Sequence, residues 1–415
     1  MTAPAIKGWC PTLLSPMQSG DGWLARVKPT AATLSADDAR VVAEGARRFG
    51  NGHIDLTSRA NLQIRGLTPR SAEQFADVII SHGLASEHAS VEAIRNVMAS
   101  PLGADDPLAE FDSHALAVEI EAMLAAEPAL VALPPKFGIL VDGSGVLPLS
   151  DASSDIMVRA YKGRLAIQLD GGTHAVFCSP GAAAKIVMSL ALAFLHLSWE
   201  QRELPHRMRE LVMSLGDDAI FAAAGLAGVA APFADRSSPR SPIGFIPGGD
   251  RGFFGVGLAF GRIDAETLAS LADLCERLGD GSLRTTPWRA LVLVAVAPSE
   301  AEALSRQVCD LGLITDDADP RLSIHACVGR GACPNASVDT RRDASRFASA
   351  MPGLTVHVSG CAKGCAHRGS APVTLVGNNG RYDLVRDGSA GDAPALAGLS
   401  FDETLAAIEQ EAVAP

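Results

Sequence analysis

An internal repeat constrains this chain more than any other feature. Gly22 to Leu67 reads GWLARVKPTAATLSADDARVVAEGARRFGNGHIDLTSRANLQIRGL, and Gly252 to Val296 reads GFFGVGLAFGRIDAETLASLADLCERLGDGSLRTTPWRALVLVAV. Each copy carries an apolar strand-like run, an amphipathic helix, a Gly-x-Gly turn and a second strand region. The first helix starts near Ser35, a good N-cap, with Asp37 and Asp38 in its first turn. Val42, Ala43, Ala46 and Phe49 share one face of it; Leu268, Leu271, Ala272 and Cys275 repeat that spacing after Asp264. Gly50-Asn-Gly52 and Gly279-Asp-Gly281 end the two helices, where glycine supplies the left-handed conformation. Further helices are expected at Ser71–His82 and Ser299–Leu311. Chance similarity of two amphipathic segments is the competing explanation. Four elements recurring in order argue for duplication, and duplicated chains often place a site between their halves.

Between the copies, Phe137 to Cys178 reads as strands and Pro180 to Gly225 as helices. Pro232 to Gly249, rich in Pro, Ser and Gly, reads as a linker. Beyond the second copy, Val373–Val376 and Arg381–Val385 form a hairpin at Asn378-Asn-Gly380, and a helix runs from about Asp402 to Ala412. The 415 residues carry a net charge of −12, which disfavours a nucleic-acid partner. The N-terminus lacks the basic and apolar regions of a secretory signal. The most apolar stretch, Ile186 to Leu197, is short of the ~20 residues that a membrane span needs and reads as a buried helix. The expectation is therefore a cytoplasmic protein without membrane partners.

Of eight cysteines, four form a pattern: Cys327-x5-Cys333 and Cys361-x3-Cys365. Thiolates are soft ligands that favour iron–sulfur clusters and zinc. A cubane cluster takes four of them, and close pairs on two loops can surround it. Gly329, Gly331, Pro334, Gly360 and Gly364 mark those loops. Zinc is the competing occupant, although its sites more often use tighter pairs. Cys178, Cys275 and Cys309 lie in apolar segments and read as packing residues. Cys10 lies in Gly8-Trp-Cys-Pro11.

A second constellation is basic. In IDLTSRANLQIRG a strand at Leu62–Arg65 puts Asn61, Gln63 and Arg65 on one face, with Arg59 just before it. Such a face can grip carboxylates, because guanidinium binds them in a bidentate fashion. An ordinary solvated sheet face is the alternative. Arg95, before an apolar turn at Val97–Pro101, and Lys136, at the start of a strand, belong with it.

Together these pieces resemble the sulfite and nitrite reductase superfamily, from about Gly8 to Tyr382. The resemblance rests on the duplication, LTSRANLQIRG, Arg95-Asn-Val97, LPPKF and the C-x5-C…C-x3-C pattern. It implies an α+β fold with two ferredoxin-like half-domains and two α/β domains, one carrying a [4Fe–4S] cluster. The expected boundaries are 1–90, 91–235, 236–312 and 313–415. In the reductases the position matched by Cys365 bridges the cluster and sirohaem. A second lysine, two positions after the one matched by Lys136, binds the anionic substrate; here it is Gly138. The second repeat reads Thr286-Pro-Trp-Arg289 where the first has the basic motif, and the cluster loop reads SGCAKGCAH.

The opening GWCPTLLSPMQSGDGWLARVKP, followed by NGHIDLTSRANLQIRGL, is more similar to the precorrin-3B synthase branch. That likeness implies a monooxygenase of aerobic cobalamin biosynthesis acting on precorrin-3A and O2. NADH is the formal electron donor, and an electron-donor protein is an expected partner. It also implies a mononuclear non-haem iron beside the cluster, with the tetrapyrrole as substrate. Arg59, Asn61, Gln63, Arg65, Arg95 and Lys136 would then clamp the substrate's acetates and propionates, and Cys327, Cys333, Cys361 and Cys365 would hold the cluster.

Overall fold

A computed structural model describes residues 10–201, 204–230 and 241–412. Its centre is a pair of five-stranded sheets that realise the repeat. The first orders its strands Met17–Ser19, Gly22–Val27, Leu62–Leu67, His53–Leu56 and Arg262–Asp264. The second orders Gly244–Pro247, Gly252–Gly257, Ala290–Val296, Ser282–Thr285 and Thr33–Ser35. Each sheet thus takes its last strand from the other copy. The segment before each helix crosses over: Arg262 pairs with Asp55 and Thr33 with Arg284.

Residues related by 229 positions make the same contacts. The Ala36 amide donates to Gly281 O at 2.8 Å, and the Ala265 amide to Gly52 O at 2.9 Å. The helices Ala36–Phe49 and Ala265–Leu278 pack side by side, and the helix-facing sides of both sheets share one apolar core. Ser35 and Asp38 form a reciprocal capping box; Asp264 makes no such bond, its carboxylate pairing with His53 Nδ1 at 2.7 Å.

Two α/β units flank this centre with related topology. In the first, Val97–Ala99, Ile139–Asp142 and Ile156–Tyr161 run parallel, and Arg164–Leu169 and His174–Cys178 continue antiparallel. In the second, Ile324–Ala326, Val356–Ser359 and Ala371–Asn378 run parallel, then Arg381–Gly388 and Leu396–Leu399 antiparallel. The expected hairpin is present, with Asn379 and Gly380 both at positive φ as a two-residue turn of this kind requires.

Three expectations change. Val97–Ala99 is a strand, because its amides complete a parallel ladder. Within the expected linker, Gly244–Pro247 is an edge strand, and residues 231–240 lie outside the described residues. The apolar helix spans Pro180–Trp199, long and apolar enough to cross a membrane, but Val187, Leu190, Ala191 and Phe194 are fully buried in the first α/β core.

Candidate functional site

The outer face of the first central sheet carries polar side chains in a row. Strand register aligns Arg26 with Gln63, Gln63 with Asp55, and Asp55 with Arg262. The period of two sends Leu62 and Ile64 into the core and leaves Asn61, Gln63 and Arg65 on this face. A tight turn precedes the strand. Ala60 has φ +57°, and the Arg59 and Asn61 amides both donate to Thr57 Oγ1. The turn carries Arg59 to the Lys136 carbonyl, 3.3 Å from Nη2.

Arg59 is largely buried, and desolvation lowers its pKa; Arg207 and Arg26 push the same way, while Cys10 and Asp155 oppose them. Asp155 is already saturated by Arg207 Nε at 3.0 Å, the Met208 amide at 2.8 Å and the Gly138 amide at 2.9 Å. Arg26 Nε is buried without a partner. Arg26, Arg59 and Arg207 therefore form a cationic cup with one committed carboxylate, and the Lys136 carbonyl caps Arg59. Sequence reasoning missed Arg26 and Arg207. The alternation of Arg26 and Lys28 along their strand was a signal for Arg26; Arg207 comes from a distant helix start that no local pattern reveals.

Two expected ligands are spoken for. Arg65, only 2% exposed, donates through Nε and Nη2 to Asp21 at 2.8 Å each, and to Ala332 O at 2.9 Å. Arg95 bonds Glu92 at 3.0 Å, Glu121 at 3.3 Å, Thr30 at 2.9 Å, and the Lys28 and Leu84 carbonyls. Burial demands paired charges, and Glu92, three residues from Arg95, supplies them together with Glu121 and Asp21 from further along the chain. Both arginines hold the frame in which Arg59 sits. Lys136 lies in a turn three residues before its strand, half-buried, without a partner for its ammonium group among the described residues.

The cysteine loops face this sheet. Ala332, beside Cys333, accepts from the Gly20 amide at 3.1 Å, Ser19 Oγ at 2.7 Å and Arg65 Nη2 at 2.9 Å. Cys327 follows one parallel strand and Cys361 the next, so both leave the same edge of the sheet. Gly360 donates its amide to Cys327 Sγ at 3.2 Å, and a Cβ there would lie 2.5 Å from Ala336 Cβ.

Burial pushes the Cys361 and Cys365 thiols up; the sulfurs of Cys327 and Cys333 act in the same direction, so the four groups lie within electrostatic reach. Thiolates so placed repel one another, and a metal centre offsets that repulsion. The donor set fits a cubane, whose separate irons keep their thiolates apart. Cys309 departs from the packing reading: it is exposed, with Sγ 3.1 Å from Thr315 Oγ1.

Three histidines stand behind the loops. His325 and His367 stack at 4.4 Å between ring centroids, and His357 meets His367 edge-on at 5.8 Å. His357 is fully buried with neither ring nitrogen partnered. Their nitrogens do not converge within 4.8 Å. The group among the described residues that does is His174, Asp217 and Asp218. There Asp217 accepts from the Thr173 and His174 amides, and one histidine with two acids is not the two-histidine set of a facial triad. Among the described residues no two-histidine, one-carboxylate set lies within 4.8 Å.

Residues 15–80 and 246–310 match the nitrite/sulfite reductase ferredoxin-like half domain, the two halves of the repeat. The NirA protein of Mycobacterium tuberculosis superimposes with a TM-score of 0.75 over 93% of this chain and 79% of that one, at 19% identity. A ferredoxin–nitrite reductase of Synechococcus elongatus is 24% identical, covering 87% of this chain and 77% of its own. The molecule therefore has the duplicated nitrite/sulfite reductase fold, a class of oxidoreductases. Within it, a precorrin-3B synthase of a Sinorhizobium species is 32% identical over 94% of this chain and 84% of its own length. The chain belongs to the precorrin-3B synthase family.

Proposed function

We propose that this chain is a precorrin-3B synthase. It hydroxylates precorrin-3A at the meso carbon between rings A and D, and the ring A acetate closes a γ-lactone. One oxygen atom of O2 enters the product; the other leaves as water with two electrons formally from NADH. The observation that carries this reading is the cationic cup opposite the cysteine loops. Its arginines exceed their carboxylates, and precorrin-3A is rich in acetates and propionates.

Arg59, Arg26, Arg207 and Lys136 bind those groups, with Asn61 and Gln63 donating beside them. Held this way, the macrocycle presents one edge to the loops of Cys327, Cys333, Cys361 and Cys365. Positioning of this kind is the protein's main contribution when a cofactor carries the chemistry. The [4Fe–4S] cluster these cysteines hold supplies one-electron transfer when bound. Gly138 weighs against a sirohaem-dependent sulfite or nitrite reductase. A Cβ there would lie 2.6 Å from Ser154 Oγ, so the reductases' second lysine does not fit without Ser154 moving.

The test is anaerobic purification, then incubation with precorrin-3A, oxygen and a reductant, with the product mass measured. A product heavier by one oxygen is expected. A stoichiometric sirohaem absorption band in the purified protein, with sulfite or nitrite turnover, would overturn the proposal.

A further inference from the structure

Arg341 belongs to neither the basic motif nor the cysteine pairs. It lies in the first turn of the helix Thr340–Ala350, which follows the Cys327–Cys333 loop. Its Nη2 donates to Asp55 Oδ1 at 2.9 Å. The same carboxylate receives Arg262 through Nε at 2.8 Å and Nη2 at 3.1 Å, and Arg65 Nη1 stands 3.7 Å away. Arg65 has its own partner in Asp21. Three guanidinium groups thus share two carboxylates, and one positive charge is left over. Arg341 is where it is least satisfied: its Nε and Nη1 are buried with no partner.

Buried, unpartnered donors on a charged group are costly, and proteins retain them chiefly where a ligand completes the set. The position indicates which ligand. Asp55 is the cross-strand neighbour of Gln63, and Gln63 of Arg26. Arg341 therefore reaches the cup's sheet face from the cysteine-bearing unit.

We infer that Arg341 is a substrate-binding residue that takes a carboxylate of the tetrapyrrole. Asp55 anchors its Nη2, leaving Nε and Nη1 for the ligand. This inference rests on the tetrapyrrole reading above and adds a second anchor to it. Arg59 and its neighbours hold the substrate from the duplicated centre, and Arg341 holds it from the cluster unit. A ligand bridging both fixes the distance between macrocycle and cluster.

The probe is uroporphyrin, a stable tetrapyrrole with acetate and propionate side chains, titrated by absorbance into purified cluster-containing protein. Arg341→Gln should weaken its binding about 10- to 100-fold, the worth of a charge-assisted hydrogen bond. Arg341→Lys, which keeps the charge but loses the fork, should weaken it less. Arg306→Gln, at an exposed position remote from the site, should leave it unchanged. Iron and sulfide content should match wild type throughout. If wild type binds and Arg341→Gln binds equally with its cluster intact, the inference is overturned and the tetrapyrrole reading stands. Failure of wild type to bind overturns both. If Arg341→Gln loses its cluster, Arg341→Lys decides, and wild-type affinity in that variant refutes the contact.

Discussion

The two copies of the repeat have nearly the same backbone and opposite surfaces. Ala60 and Arg289, 229 residues apart, both adopt a positive φ, at +57° and +59°. Thr57 and Thr286 brace the same turn through their hydroxyls. The outward strand positions differ. Arg26, Lys28, Arg59, Gln63 and Arg65 in the first copy correspond to Gly255, Gly257, Trp288, Val292 and Val294 in the second. The first face meets the cysteine loops. The second is sealed: Val292 and Val294 pack with Leu102, Leu147, Ile246 and Phe253.

The flanking units repeat the contrast. The Gly143 amide donates to Ser100 Oγ at 3.1 Å, just as the Gly360 amide donates to Cys327 Sγ at 3.2 Å. Serine holds the loop where cysteine would ligate a metal. Duplication supplied two equivalent places, and only one has the charges and thiols for a redox site. The other is core.

The largest expected effect tests that asymmetry directly. Cys361→Ser should lose the cluster and turnover together, whereas Ser100→Ala, at the counterpart of Cys327 in the other α/β unit, should keep both. Iron, sulfide and visible absorption report the first, product mass the second. A Cys361→Ser protein with four irons and full turnover would refute the ligand assignment.

Next in size is the charge hub. Asp55→Ala leaves Arg262 and Arg341 without their shared carboxylate, and breaking a buried pair costs about 3–5 kcal/mol. Its counterpart in the second copy is Arg284, whose partner Asp105 is 43% exposed. Arg284→Ala leaves that acid partly in water, and a loss of about 1–2 kcal/mol is expected. Denaturant midpoints compare the two, and equal losses would contradict the hub.

Smaller still is an exchange across the copies. Val292→Gln buries an amide in an apolar seam at a cost of about 1–3 kcal/mol, with uroporphyrin affinity unchanged. Gln63→Val should do the reverse, weakening affinity several-fold with little loss of stability. The comparison fails if both variants change the same property.

The scaffold was legible because local signals set it: Ser35 as a cap, glycines after both helices, Asn379-Gly380 as a turn. The cysteine pattern was legible because its spacing is itself the chemistry. Two things were not. The strand exchange is invisible, because Thr33–Ser35 carries nothing to show that its partner lies some 250 residues away, at Ser282–Thr285. The standing of each arginine was hidden too. Arg59 and Arg65 sit six residues apart in one motif, yet Asp21 silences the second. A charge is available or committed according to what packs beside it, and tertiary contacts decide that. The unpartnered groups of Arg26 and Arg341 emerged for the same reason.

Lys28 gives the smallest effect and isolates one position of the first copy. Its counterpart is Gly257, so the second copy has no ammonium group there. Lys28 Nζ donates to Glu92 O at 2.6 Å and Asn96 Oδ1 at 2.9 Å. Burial pushes its pKa down to about 8; Arg95 and Arg26 add to the shift, and Glu92 opposes it. The sign follows from linkage. The unfolded chain binds this proton more tightly than the folded one, so protonated Lys28 costs stability below pH 8. That cost shrinks as pH rises from about 8 toward the ordinary lysine value, near 10.4. Lys28→Met, similar in length and without charge, lacks the dependence. Between pH 7.5 and 9 wild type should therefore gain about 1 kcal/mol relative to Lys28→Met. Denaturation at a series of pH values measures the difference. A flat difference would mean that Lys28 keeps an ordinary lysine pKa, and that the first copy's face is wetter than its geometry indicates.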